Sequence, residues 1–203
     1  MTGLDGLPVA SAVVLAGGRS SRFGRDKLAE PLGGRPLLEY AILAAGSVTR
    51  DVVVIGAPVE RRLPAMPGVT VRVAADAEPF AGPLVALATA LELVREPLAL
   101  VVAGDMPTLV PSVLAALLRS LDAADGLEAT ALLFRSRRQP LPMALRVGAA
   151  TLAVGRNVAG GDRSLQSLLS VLRTKDLDET EWRSLDPGAA TLRDVDRPED
   201  LPR

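Results

Sequence analysis

Apolar residues along this chain fall into short blocks of two different periods. Ser11–Ala16 (SAVVLA), Asp51–Ile55 (DVVVI), Val69–Ala74 (VTVRVA), Leu98–Ala103 (LALVVA) and Ala129–Phe134 (ATALLF) are short runs rich in branched residues. Runs of that kind predict buried strands. Pro36–Val48, Gly82–Arg95 and Pro111–Ala124 carry apolar residues at helical spacing, with Pro36 placed at a first turn. Beyond Phe134 the pattern predicts a Pro-rich turn, a short strand at Met143–Arg146 and helices at Val147–Val158 and Ser164–Leu172. A last strand at Thr191–Val195 and a helical turn from Pro198 to Leu201 complete the series. Strands alternating with helices predict a three-layer α/β fold with a mostly parallel, mixed sheet. No linker, repeat or low-complexity segment interrupts residues 1–203, so a single domain is expected.

Composition narrows the chemistry. Hydrophobic residues make up 48% of the 203, enough for one sizeable core, and a net charge of −1 gives no general attraction to nucleic acid or anionic membrane. The chain has neither Cys nor His. Disulfides, thiolate nucleophiles, Ser-His-Asp catalysis and imidazole metal sites are thereby excluded, and any metal site must be built from oxygen, which favours Mg²⁺, Mn²⁺ or Ca²⁺. The start MTGLDGLPVA lacks a positive n-region, and the apolar runs are too short to span a bilayer. A cytoplasmic location, with no nucleic-acid or membrane partner, is the expectation.

In open α/β sheets ligands bind beyond the carboxyl ends of strands, which directs attention to the loops after Ala16 and Ala103. The first reads GGRSSRFGRDK from Gly17 to Lys27. Gly17 and Gly18 let the backbone approach a ligand and expose its N–H groups, while Arg19, Arg22, Arg25 and Lys27 supply cations, the combination a phosphate chain needs. Only Lys27 and Lys175 are lysines among 23 basic residues. A composition that prefers Arg has kept a compact ammonium at this loop. Neither GxxxxGK[ST] nor GxGxxG is present. The second loop is Gly104-Asp105-Met106-Pro107, whose Asp105 suits either a Mg²⁺ site, which takes one or two carboxylates plus phosphates, or the cap of a turn.

Read together, the two loops carry a resemblance. LAGGRSSRFGRDK (Leu15–Lys27) resembles the signature LAGGxSxRMGxDK of the molybdenum cofactor guanylyltransferase family, with Phe23 in place of Met. GDMPTL (Gly104–Leu109), EPFAGPLVAL (Glu78–Leu87), QPLPMAL (Gln139–Leu145), GDRSLQSLL (Gly161–Leu169) and RDVDRPEDL (Arg193–Leu201) resemble further family segments in the same order. The family's frequent Asn is replaced by Asp at positions 194 and 196, and the His of the fourth segment is missing.

The resemblance implies a Rossmann-like nucleotidyltransferase that moves GMP from GTP to the phosphate of molybdopterin or its molybdenum form, releasing pyrophosphate. It also implies roles. Backbone of Leu15, Ala16, Gly17 and Gly18 contacts base and sugar; Arg22 holds the outer phosphates; Lys27 stabilises the α-phosphate; Asp105, with Asp196, holds Mg²⁺. Asp76 either helps place the nucleotide or caps a helix, and Gly82 either admits the base or only starts a helix. Arg163, Ser164 and Asp194 are acceptor-side candidates, although Arg163 and Ser164 equally suit a capped surface helix. Arg135, Arg137 and Arg138 either meet the acceptor's phosphate or form a solvated edge. Transient contacts with proteins that deliver or receive the cofactor are implied too. Rival readings are a CTP-using enzyme, one for another phosphorylated acceptor such as phospholactate, and a nucleotide-binding regulatory module without catalysis.

Overall fold

The computed structural model describes residues 6–17, 26–58, 63–78 and 80–200. Its strands are β1 (Ala10–Leu15), β2 (Pro31–Leu32), β3 (Arg35–Pro36), β4 (Asp51–Ile55), β5 (Thr70–Ala74), β6 (Leu98–Ala103), β7 (Ala129–Phe134), β8 (Arg137–Arg146) and β9 (Thr174–Leu177). Its α-helices are α1 (Leu37–Gly46), α2 (Pro83–Leu91), α3 (Pro111–Asp122), α4 (Val147–Ala159), α5 (Leu165–Val171) and α6 (Glu179–Trp182). Seven strands form one sheet in the order β5-β4-β1-β6-β8-β7-β9, and β2 and β3 form a small separate ribbon. Only β8 runs antiparallel to its neighbours in the large sheet.

Alternation along the strands distributes the core to two faces. Ala12, Val14, Val52, Val54, Leu100 and Val102 pack under α1 and α3. Val13, Leu15, Ile55, Ala99 and Val101 pack under α2, α4 and α5. All residues of β1 and β4 are buried, because helices cover both sides, and this is why their sequences are continuously apolar. No helix among the described residues is long and apolar enough to cross a membrane.

Three departures from the sequence pattern have physical causes. The expected Pro-rich turn is part of the ten-residue strand β8, and the reversal is confined to Arg135 and Ser136, both at positive φ (49° and 61°). The register jumps between Ala131 and Leu132: Ala131 faces Met143 while Leu132 faces Gln139, so Pro140 and Pro142 fall where the ladder is interrupted and no amide is demanded of them. Thr191–Val195 is not a strand but begins inside a 3-10 turn, Ala190–Leu192. The amide of Thr191 donates to buried Asp186 (2.7 Å) and its hydroxyl accepts from the Val110 amide (3.1 Å), so side-chain bonding overrides β propensity. Strand β9 and helix α6 went unpredicted, since TKDL has no apolar run; the Asp178/Glu181 capping box of α6 was the available signal.

Near the amino ends of β1 and β4, away from the carboxyl-end loops, Asp51 accepts from the Ser11 hydroxyl (2.7 Å) and from Arg72 through both oxygens (2.8 and 2.7 Å to Nη2). Arg72 also donates to the Leu93 carbonyl (3.0 Å). Asp51→Ala leaves the largely buried guanidinium without its fork and is expected to cost about 2–3 kcal/mol. Urea unfolding checks this: the midpoint should fall at constant m-value, and an unchanged midpoint would show the network to be energetically idle.

Candidate active site

The chain runs from β1 outward to β4 and β5, then returns to the other flank of β1 as β6. The switch point therefore lies between β1 and β6, and the crevice is beyond their carboxyl ends. The two loops leaving these strands are tied at their roots, because the Gly104 amide donates to the Leu15 carbonyl (2.8 Å). Leu15 and Ala16 are buried there. On the other flank the Ala16 amide donates to the Ile55 carbonyl (2.8 Å), and Gly56 follows at φ +86°. A Cβ on Gly56 would stand 2.8 Å from both N and Cα of Gly17, so only glycine admits this approach. Sequence reading passed over Gly56, although a glycine directly after DVVVI was a usable signal. Asp76 leaves β5 toward the same place. One of its carboxylate oxygens accepts from the Glu78 amide (3.2 Å), and the other is 3.9 Å from where a Gly17 Cβ would lie. Gly18 and Arg22, like Arg19 and Arg25, lie outside the described residues.

Lys27 opens a 3-10 turn, Lys27–Ala29, capped by Asp26, whose carboxylate accepts from the Leu28 amide (3.0 Å), and anchored by buried Leu28. Its ammonium donates to Asp105 Oδ2 (2.6 Å), to the Val195 carbonyl (3.0 Å) and to Asp196 Oδ1 (3.2 Å). The closing segment is held against the second loop by further bonds. The Val195 amide donates to the Asp105 carbonyl (3.0 Å) and the Thr108 hydroxyl to the Ala190 carbonyl (2.7 Å). One cation thus gathers carboxylates from two segments far apart in sequence.

Burial works against the charge of Lys27, but the hydrogen bonds and charges of Asp105 and then Asp196 outweigh it and hold its pKa above the ordinary lysine value. Asp194 keeps solvent contact, yet its carboxyl is pushed above the usual carboxylate range, first by lost hydration and then by the charges of Asp105 and Asp196. No group of three or more His, Cys, Asp or Glu among the described residues is arranged to hold a metal ion. Asp105 and Asp196 do converge on one cation, their side chains 21% and 47% exposed against 15% for Lys27. Two carboxylates facing a solvent-reachable crevice fit Mg²⁺, which keeps waters and takes further oxygens from phosphates.

Gly82, at φ +111°, precedes α2, and a Cβ there would approach Arg163 Cβ to 3.0 Å. The Leu84 amide donates to the Arg163 carbonyl (3.3 Å), so the starts of α2 and α5 are in contact. Arg163 donates to the Val158 and Asp162 carbonyls (3.1 and 2.8 Å), and Ser164 caps α5 by accepting from the Gln166 amide (3.1 Å). Arg138 is committed to Asp176 (2.6 and 3.0 Å) and the Leu169 carbonyl (2.9 Å). The Arg135 guanidinium lies over the Phe134 ring at 5.1 Å.

The chain matches the model of the MobA-like NTP transferase domain over residues 12–178. It is 34% identical over 194 residues to a probable molybdenum cofactor guanylyltransferase of Chloroflexus aggregans, covering 94% of this chain and 91% of that one. It is 38% identical over 162 residues to a molybdenum cofactor guanylyltransferase of Xanthomonas euvesicatoria, covering 78% and 77%. A solved structure of molybdopterin-guanine dinucleotide biosynthesis protein A from Archaeoglobus fulgidus shares the fold with a TM-score of 0.75 at 21% identity, covering 94% of each chain. The chain belongs to the MobA-like NTP transferase family and is a nucleotidyltransferase.

Proposed function

We propose that this enzyme transfers GMP from GTP to the phosphate of molybdopterin or the molybdenum cofactor, releasing pyrophosphate, in a Mg²⁺-dependent reaction in the cytoplasm. The observation that carries the reading is the meeting of Lys27 and Asp105, 2.6 Å apart, at the switch point between β1 and β6. These residues come from two of the segments that carry the family resemblance, and the relative from Chloroflexus aggregans aligns along 94% of this chain.

In the proposed reaction an oxygen of the acceptor phosphate attacks the α-phosphorus of GTP in line. The bond from that phosphorus to its bridging oxygen breaks, and pyrophosphate carries away the electron pair. A phosphate nucleophile is already ionised at neutral pH, so no general base is needed, in keeping with a chain that has neither His nor Cys. Catalysis then reduces to positioning and charge stabilisation. Backbone of Leu15, Ala16, Gly17 and Gly18 takes base and sugar, and the place of Asp76 beside Gly17 supports a share in seating the nucleotide. Arg22 takes the outer phosphates, and Lys27 the α-phosphate as charge develops on it. Asp105 and Asp196 would hold Mg²⁺, which neutralises phosphate charge when bound. Arg163, Ser164 and Asp194 face the acceptor, with Gly82 shaping the wall against Arg163. Proteins that deliver or receive the cofactor would make transient contacts with the enzyme.

Pyrophosphate release tests the reading directly. GTP with molybdopterin should give release at least about tenfold faster than CTP, ATP or UTP, and no faster than background without acceptor. Faster release with CTP would replace the base assignment, and no release with any nucleotide would favour a binding module.

Asp105→Asn should lower turnover by roughly a hundredfold while circular dichroism still shows the intact fold, because a Mg²⁺ site with two protein ligands loses one of them. An Asn variant that keeps its rate at limiting Mg²⁺ would remove Asp105 from the site.

A further inference from the structure

Both carboxylates assigned to the metal are already occupied by a cation of the protein's own. The Lys27 ammonium lies 2.6 Å from Asp105 Oδ2 and 3.2 Å from Asp196 Oδ1, and its third bond goes to the Val195 carbonyl at 3.0 Å. All three donor directions of an ammonium are therefore spent on this cluster, and its side chain is only 15% exposed. A divalent ion sharing those oxygens would stand within a few ångströms of the ammonium, and like charges that close in a partly dehydrated crevice repel strongly.

We propose that Lys27 is a resident counter-ion of the Asp105–Asp196 pair in the nucleotide-free enzyme, and that a divalent cation and the Lys27 ammonium exclude one another there. The counter-ion keeps Asp105 and the closing segment together in the absence of metal, so the carboxylates need no reorganisation when metal arrives. It also makes the free enzyme a poor metal binder. A nucleoside triphosphate removes the conflict, because it brings its own divalent ion and offers the displaced ammonium a new anionic partner. Metal loading and nucleotide loading are thereby coupled through one side chain. The inference rests on the reading of Asp105 and Asp196 as metal ligands.

The test is Mn²⁺ binding to the nucleotide-free full chain, followed by the electron paramagnetic resonance signal of free Mn²⁺ in wild type, Lys27→Met, Asp105→Asn and the double variant Lys27→Met/Asp105→Asn. Lys27→Met should bind Mn²⁺ about tenfold or more tightly than wild type, and the double variant should lose that gain. Lys27→Gln, which keeps hydrogen bonding without charge, takes the place of Lys27→Met if the methionine variant does not fold. Unchanged or weaker Mn²⁺ binding on loss of the Lys27 charge, with Asp105→Asn still lowering affinity, overturns the exclusion and leaves the metal assignment standing. Binding indifferent to Asp105→Asn in both backgrounds overturns the metal assignment and the inference with it.

Discussion

A single ammonium group closes the site. Lys27 bridges the loop after β1, the loop after β6 and the closing segment, and the shape of the crevice depends on those three meeting. The meeting is prepared by the backbone. Gly104 is bonded to Leu15, Gly56 lets Gly17 ride over the end of β4, and Val195 is bonded to Asp105, so backbone bonds as well as the lysine join these segments. Taken alone, a partly exposed ion pair contributes little to stability. Its value here is positional: it holds charged groups from distant parts of the chain within reach of one small volume.

Carboxylates crowd around that volume. Among the described residues, the charges of Asp105 and Asp196 act on Asp194 against that of Lys27. The proposed triphosphate would bring further negative charge there, and the proposed Mg²⁺ ion would supply countercharge. The protein pays for the crowding in a pH-dependent way. Asp194 has a raised pKa, so its contribution to stability is fully present below the ordinary carboxylate range and is lost as pH rises through the raised value. Lys27 is also raised, so its stabilising contribution is fully present below the ordinary lysine pKa and is lost only as strongly alkaline pH passes its folded value.

Much of this was legible in the sequence, and for definite reasons. Strands buried on both faces are continuously apolar, so DVVVI and LALVVA were placed with their observed limits. The switch-point rule then singled out the loops that hold Lys27 and Asp105. What escaped reading depends on pairings that leave no local trace. Strand β9 is polar because it pairs at the edge and Asp176 serves Arg138. Strand β8 tolerates its prolines only because the β7 register jumps beside them. The closing segment looked like a strand because Thr and Val favour one, but buried Asp186 and the amide of Val110 decide its course. Nor could spacing alone reveal that Lys27 would sit on Asp105 and Asp196, since that contact spans most of the chain.

The central claim is that Lys27 acts on the transferring phosphate and not merely as an anchor for bound nucleotide. Single-turnover transfer from GTP to molybdopterin, measured beside equilibrium GTP binding in Lys27→Ala, separates the two. Loss of one preorganised charge contact in the transition state costs on the order of 3 kcal/mol, so the transfer step should slow by roughly a hundredfold while GTP affinity changes far less. Lys27→Arg should not restore the rate fully, because a planar fork does not replace a compact ammonium. A Lys27→Ala enzyme with a normal transfer rate and weakened GTP binding alone would contradict the account.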